Sequence, residues 1–463
     1  MSTNSPVFVN RTLNMKKINY IGLDMDHTLV RYKTENFEQL AYASMCQKLV
    51  NDLSYPKQIA NLKFNFNRAI RGLVIDKVRG NILKLSRHAA IRESYHGTRP
   101  INFSEQKKIY KSTYIDLSDP DYDPVDTSFS YSFATLFAQL VDLKDDELRD
   151  SLPDYGQIAA DLIFVLDAAH RDGTIKNQVA EDLDHYIIKD PELVEGLERY
   201  KKHGKKIFVV TNSEYHYTKL LMDYAIQPFL KDSSSWSELF EFVVTLASKP
   251  RFFTDRLPFL KITSDEGTMI NANGIETGGI YQGGCADIIT KNLKLSPEEI
   301  LYIGDHIYGD IVRLKKDCAW RTALVVEEIE EEIHNSQNAL SLVEQIDQLM
   351  EEKRPIETKI DSLISDQIIN EHKSHEQEIK ELIHTVSAID TKIGPLIKKQ
   401  RACFNPYWGE VFRTGIEESY FAYQVDRFAC IYMGKLSDLL ALSPRTYFRS
   451  NKKPLSHEIK LFT

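Results

Sequence analysis

The sequence predicts an α/β fold: a doubly wound parallel sheet, interrupted by a large insertion and followed by a helical extension. Three observations predict it. Five apolar runs of strand length recur along the chain, Ile18–Leu23, Ile207–Val210, Phe240–Val244, Ile300–Ile303 and Ala323–Val326. They are rich in β-branched and aromatic residues, as strands buried on both faces tend to be. Helical stretches separate the last four, and strands alternating with helices argue for parallel crossovers. Between the first run and the second lies far more chain than one crossover needs.

That long segment is read as a separate, mostly helical domain, with Gln157–His170 as one helix closed by Gly173. The expected organisation is a core segment at 1–38, the inserted domain at 39–198, and the rest of the core at 199–330. A helical extension follows at 331–398, and an aromatic-rich segment at 399–463 packs back on the body. In the extension, Leu342, Ile346, Leu349, Ile356, Ile360, Leu363, Ile379, Leu382, Val386, Ile389 and Ile393 recur at helical spacing, a packing face. Pro355 is expected to break this stretch.

Composition narrows the function. Of 463 residues, 42% are hydrophobic and 27% charged, which suits a globular protein. Lys and Arg number 58 against 67 Asp and Glu, a net charge of −9. Such a surface repels phosphate backbones and argues against general nucleic-acid binding. No apolar run reaches the roughly 18 residues that span a bilayer, and the N-terminus lacks a signal-peptide core. Five scattered cysteines with no CxxC pair suggest neither disulfides nor zinc, and point to a reducing cytoplasm. No GxxxxGK[ST] phosphate loop occurs.

The chemistry sits just past the strand runs. The first ends in Asp24-Met-Asp-His-Thr28, and carboxylates at the carboxyl end of a parallel strand enter the ligand crevice. Asp24 and Asp26 are placed so that one can attack phosphorus while the other handles the proton. The second run ends in Thr211-Asn212-Ser213 before a helix, a phosphate seat if the free N–H groups face a ligand and a plain cap if they do not. Lys249 follows the third run, and Asp305 and Asp310 follow the fourth. These two acids are hard oxygen donors of the kind Mg²⁺ takes.

In this order the four motifs resemble those of the haloacid dehalogenase-like phosphohydrolases, whose Rossmannoid core carries a cap inserted between motifs one and two. The resemblance implies Asp24 as the nucleophile that forms an aspartyl-phosphate, and Asp26 as general acid, then base. It implies that Thr211, Asn212, Ser213 and Lys249 hold the phosphoryl group. Asp24, Asp26 through its backbone carbonyl, Asp305 and Asp310 would hold Mg²⁺.

The likeness extends to one family. Phe8–Met15, Gly22–Leu29, Arg71–Lys84, Thr211–Thr218, Lys249–Phe253, Tyr281–Gly284, Leu301–Asp310, Gly409–Arg413 and Gln424–Phe428 resemble the cytosolic, IMP/GMP-preferring purine 5′-nucleotidases. The match is weakest at 98–160 and 327–398. It implies a Mg²⁺-dependent nucleotidase acting on IMP, GMP and their deoxy forms, and a homo-oligomer. The cap segment Asp167–Lys176 is similar to that family's DxxHxxGxxK signature, which implies Asp167, His170 and Lys176 at the nucleotide. A carboxylate facing N1 accepts from the N1–H of hypoxanthine or guanine and repels the adenine N1 lone pair. Phe137 falls where the family stacks a base, with core packing the other reading.

The chain departs from that pattern in three places. Ile163 stands where the family often has Arg. Asp123–Asp126 and Phe133-Ala-Thr offer no counterpart to the Arg and Asn of the animal effector site, and the chain ends His457–Thr463 without an acidic tail. Two alternatives share the motifs: a nucleoside phosphotransferase using the same intermediate, and a silent nucleotide-binding scaffold. A silent scaffold would be expected to have lost a reacting carboxylate, and all are present.

Overall fold

The strands form where β-branched and aromatic residues can be buried on both faces of a sheet. The computed structural model describes residues 6–111, 114–371, 374–455 and 458. The chain end noted above, His457 and 459–463, lies outside them. The main sheet has ten strands. In chain order they are β1 (Val7–Val9), β2 (Tyr20–Leu23), β3 (Lys206–Val210), β4 (Phe242–Thr245), β5 (Phe259–Ile262), β6 (Met269–Ala272), β7 (Gly279–Gly283), β8 (Ile300–Gly304), β9 (Arg321–Val325) and β10 (Ile431–Met433).

Their spatial order is β1-β10-β9-β8-β2-β3-β4-β7-β5-β6. From β10 to β7 all neighbours are parallel; β1, and the β5–β6 pair beyond β7, run antiparallel at the edges. The five runs read from the sequence are β2, β3, β4, β8 and β9, shifted by up to two residues. Strand β2 lies between β8 and β3. The chain moves outward from it on both sides, so its carboxyl end is the switch point where α/β sheets bind ligands.

The chain leaves β2 for the insertion through Arg31–Tyr32 and returns through Ile187–Ile188, and these two segments pair antiparallel. The expected boundaries at 38/39 and 198/199 fall inside helices, Thr34–Asp52 and Pro191–Lys202. The second of these packs Leu193, Val194, Leu197 and Tyr200 into the core beneath the main sheet. The insertion holds the helices Tyr131–Asp145, Tyr155–Arg171 and Thr174–Glu181. Asp154 caps the second of these by accepting from Gln157 N at 2.8 Å.

It also holds a five-stranded antiparallel sheet that the sequence reading did not anticipate, in the order 99–100, 91–96, 81–85, 73–76, 122–124. Its central strand Asn81–Leu85 is buried at every position, so no alternation marks it. Even Lys84 is buried, its ammonium donating to the carbonyls of Trp408 and Glu410. Asp76 closes the preceding turn, accepting from the backbone N–H groups of Val78 and Arg79 at 3.1 Å each.

Pro355 does not break the extension. One 41-residue helix runs Ile329–Ile369, and a second, Glu376–Arg401, returns alongside it. A mid-helix Pro costs about 3 kcal/mol. The helix nevertheless continues through it: Lys353 pairs with Asp390 at 2.7 Å, and Ile360, Ile379, Ile389 and Ile393 are buried. The segment after this hairpin returns to the body, where Trp408 Nε1 donates to Arg68 O at 2.9 Å and β10 joins the main sheet. Among the described residues, no helix is long and apolar enough to cross a membrane.

Gly22 marks how tightly the centre of the sheet is packed. A Cβ there would lie 2.5 Å from Phe208 Cζ and 2.7 Å from Tyr302 Cδ2, rings from the strands on either side. Gly22→Ala is expected to destabilise the fold by about 1–3 kcal/mol through overpacking, read as a shifted midpoint in urea unfolding. An unchanged midpoint would show that these rings yield freely.

Candidate active site

Four strand ends converge at the switch point. Asp24 follows β2 directly, its N–H donating to Ile303 O on β8 at 2.8 Å. Thr211 follows β3, and its N–H donates to Val244 O on β4 at 2.9 Å. Lys249 comes four residues past β4 and Asp305 one past β8. Asp310 sits in the single wide helical turn Ile307–Val312. Carboxylate oxygens of Asp24, Asp305 and Asp310 all lie within 4.8 Å of one another, and all three residues are buried. Lys249 Nζ stands among them, 2.7 Å from Asp24 and 2.8 Å from Asp310, and donates to Tyr302 Oη at 3.2 Å.

Three carboxylates against one ammonium leave this centre anionic. Burial, only partly countered by Lys249, pushes the Asp24 carboxyl well above its usual range, and the neighbouring acids push it further. Burial likewise raises Asp305 to about 6, with the charges of His27 and Arg71 working against it. Buried hard oxygens with an excess of negative charge form a donor set that fits Mg²⁺.

Asp26 points elsewhere. Its Oδ2 accepts from Ser213 Oγ at 2.9 Å and Thr211 Oγ1 at 3.4 Å; its Oδ1 accepts from Tyr32 Oη at 2.6 Å. Asn212 is not directed at this centre as the sequence reading expects. Its Oδ1 accepts from Lys249 N at 2.6 Å and its Nδ2 donates to Lys249 O at 3.2 Å. The amide is spent on holding the loop that carries Lys249.

Sequence reasoning missed a second ring of charge. Arg71, buried in the cap, donates from its guanidinium to Asp305 O at 2.7 Å, Ser128 Oγ at 2.9 Å and Glu328 Oε1 at 3.0 Å. Tyr131 Oη donates to the same Glu328 carboxylate, and Thr127 Oγ1 to Asp305 Oδ2 at 3.1 Å. His27 Nδ1 lies 3.1 Å from Glu327 Oε1. Burial alone would lower this imidazole, but the Glu327 carboxylate lifts it to about 9, so it carries a proton. The Arg71–Lys84 segment was legible as a motif; that its first residue reaches the fourth motif is set by tertiary packing.

On the cap side, His170 ends the Tyr155–Arg171 helix and is mostly enclosed; burial and Lys176 lower its pKa, while the charges of Asp26 and Asp167 raise it. Lys176 Nζ lies 3.7 Å from Glu214 Oε1 and 5.1 Å from the centre of the Tyr217 ring, seating the cap on the core. Asp167 lies one turn before His170 with its side exposed, and Ile163, one turn further back, is exposed too. Phe137 does not reach the site: it is fully buried in the cap core and stacks on Phe133. Phe129 is nearer to it, edge-on to His27 at 4.4 Å and to His170 at 6.3 Å. The apolar face of the 131–145 helix drew attention to Phe137, whereas Phe129 precedes that helix in a short turn with no pattern of its own.

Residues 7–460 match the 5′ nucleotidase family. A 5′-nucleotidase domain-containing protein of Dictyostelium discoideum is 28% identical over 462 residues, covering 98% of this chain and 75% of that protein. The 5′-nucleotidase domain-containing protein 2 of Homo sapiens is 27% identical over 477 residues, covering 98% of this chain and 85% of that protein. Among solved structures, an archaeal β-phosphoglucomutase from a Pyrococcus strain is 11% identical over 67% of this chain and 87% of its own, with a TM-score of 0.32. That likeness is too slight to carry an argument.

The clasp around Arg71 predicts a large stability effect. Arg71→Met strands Glu328, Ser128 and the Asp305 carbonyl, and is expected to cost about 3–5 kcal/mol in urea unfolding. Arg71→Lys recovers only part of this, because an ammonium lacks the planar fork. A loss under about 1 kcal/mol for Arg71→Met would show that the clasp does not tie cap to core.

Proposed function

The chain belongs to the 5′-nucleotidase family and is a phosphoric monoester hydrolase; from that premise we propose a Mg²⁺-dependent nucleotidase that releases phosphate from IMP, GMP and their deoxy forms. The observation that carries this reading is the buried convergence of Asp24, Asp305 and Asp310 on Lys249 at the ends of adjacent strands.

In this reading an Asp24 carboxylate oxygen attacks phosphorus, the bond to the nucleoside 5′ oxygen breaks, and an aspartyl-phosphate forms. Asp26 gives the leaving oxygen its proton, then takes one from the water that hydrolyses the intermediate. Lys249 neutralises the phosphoryl oxygens and keeps Asp24 oriented. Thr211 and Ser213, which share the Asp26 carboxylate, supply hydroxyls on the phosphoryl side. Asp24, Asp305, Asp310 and the Asp26 backbone carbonyl would hold Mg²⁺. When bound, the ion offsets the repulsion between an anionic nucleophile and an anionic ester.

The cap reads the base. Phe129, rather than Phe137, offers the aromatic face beside His170. Asp167 accepts from N1–H of a 6-oxopurine and disfavours adenine. Lys176 stands where the cap meets the core, on the ribose and phosphate side.

Two measurements test this. Phosphate release from IMP, GMP, AMP, UMP and p-nitrophenyl phosphate is expected to be fastest for IMP and GMP, to stop with EDTA, and to fall at least about a thousandfold in Asp24→Asn. Unchanged release in Asp24→Asn would sink the mechanism, and activity on p-nitrophenyl phosphate alone would sink the nucleotide assignment. Asp167→Asn is expected to lower kcat/KM for IMP by at least roughly tenfold while ribose 5-phosphate is spared. Equal losses on both would show that Asp167 does not read the base.

A further inference from the structure

No motif accounts for Tyr32, yet it makes the shortest contact to the Asp26 carboxylate, 2.6 Å at Oδ1. Its hydroxyl also lies 3.2 Å from Tyr217 Oη. A phenol has one proton to give. The Tyr32 hydroxyl donates to Asp26 Oδ1, so Tyr217 must donate to the Tyr32 oxygen. The result is a one-way chain from Tyr217 to Tyr32 to Asp26. Both phenols are buried, and Lys176 of the cap lies over the Tyr217 ring at 5.1 Å. The Tyr32 ring is itself held by His27 at 4.9 Å and Phe37 at 5.0 Å.

We propose that Tyr32, backed by Tyr217, is a positioning residue that sets the working orientation of Asp26. With Oδ1 occupied by Tyr32, Oδ2 faces Thr211 and Ser213. Oδ2 is then the oxygen that meets the substrate's leaving oxygen. Because Lys176 rests on Tyr217, seating of the cap and orientation of the acid share one residue. This inference rests on the assignment of Asp26 as the acid–base group.

The test compares an ester that needs leaving-group protonation with one that does not. Tyr32→Phe is expected to lower the single-turnover rate of ester cleavage on IMP roughly tenfold, with KM and the single-turnover release of p-nitrophenol each changed by less than about twofold. Tyr217→Phe is expected to act in the same direction and less, about threefold. Equal losses on both esters, or no loss on either, would overturn the proposal, and Tyr217→Phe alone decides it if Tyr32→Phe does not fold. Asp26→Asn is run alongside. If it discriminates between the esters while Tyr32→Phe does not, only this inference falls. If Asp26→Asn does not discriminate, the assignment of Asp26 falls and this inference with it.

Discussion

The structure depends on one interaction, the ammonium of Lys249 held between the carboxylates of Asp24 and Asp310 in a place almost shut off from water. Without it three acids would face one another in a place where desolvation costs several kcal/mol per charge. The arrangement needs strands in register, so that β2, β4 and β8 end at one level, and it needs a rigid sheet beneath. Gly22 leaves room for the Phe208 and Tyr302 rings on either side of β2, and Tyr302 in turn accepts from Lys249. Packing at the centre of the sheet and charge at its edge are therefore one structure.

Around that centre the chain adds compensating cations. Arg71 arrives from the cap and His27 from the first motif, each braced by a glutamate at the start of the long C-terminal helix. Glu327 and Glu328 are adjacent in sequence but grip different partners, one tied to His27 and one to the cap. The insertion is therefore not an independent lid resting on a finished core. It contributes a guanidinium to the backbone of a proposed metal ligand, and the extension completes the clasp. This accounts for hydrophobic clusters that run continuously from cap helices into residues flanking β8 and β9.

Much of this was legible in the sequence, for a physical reason. Strands buried on both faces of a parallel sheet are written as continuous apolar runs, and acids at their ends stand out by contrast. Five strands and the residues of the acid cluster are visible in that way. Other features left no local trace. The cap sheet has a central strand without alternation and a buried Lys84. Pro355 carries a breaking signal, yet the helix continues through it. Asn212 and Phe137 have the right chemistry in the right neighbourhood, but the fold turns the first toward the Lys249 backbone and the second into the cap core. Tyr32 and Phe129 carry no pattern, and Arg71 opens a legible motif whose reach to the fourth motif exists only once distant segments meet.

In the proposed reaction Asp24 becomes covalently phosphorylated. The most direct measurement is mass spectrometry of Asp26→Asn, acid-quenched during turnover of p-nitrophenyl phosphate with Mg²⁺. That ester needs little help from an acid to react, and the variant lacks the base that would activate water, so the intermediate accumulates. The account predicts one phosphoryl group per chain, mapped to the peptide containing Asp24. A chain that releases p-nitrophenol yet carries no phosphoryl group, or carries it on another residue, would contradict it.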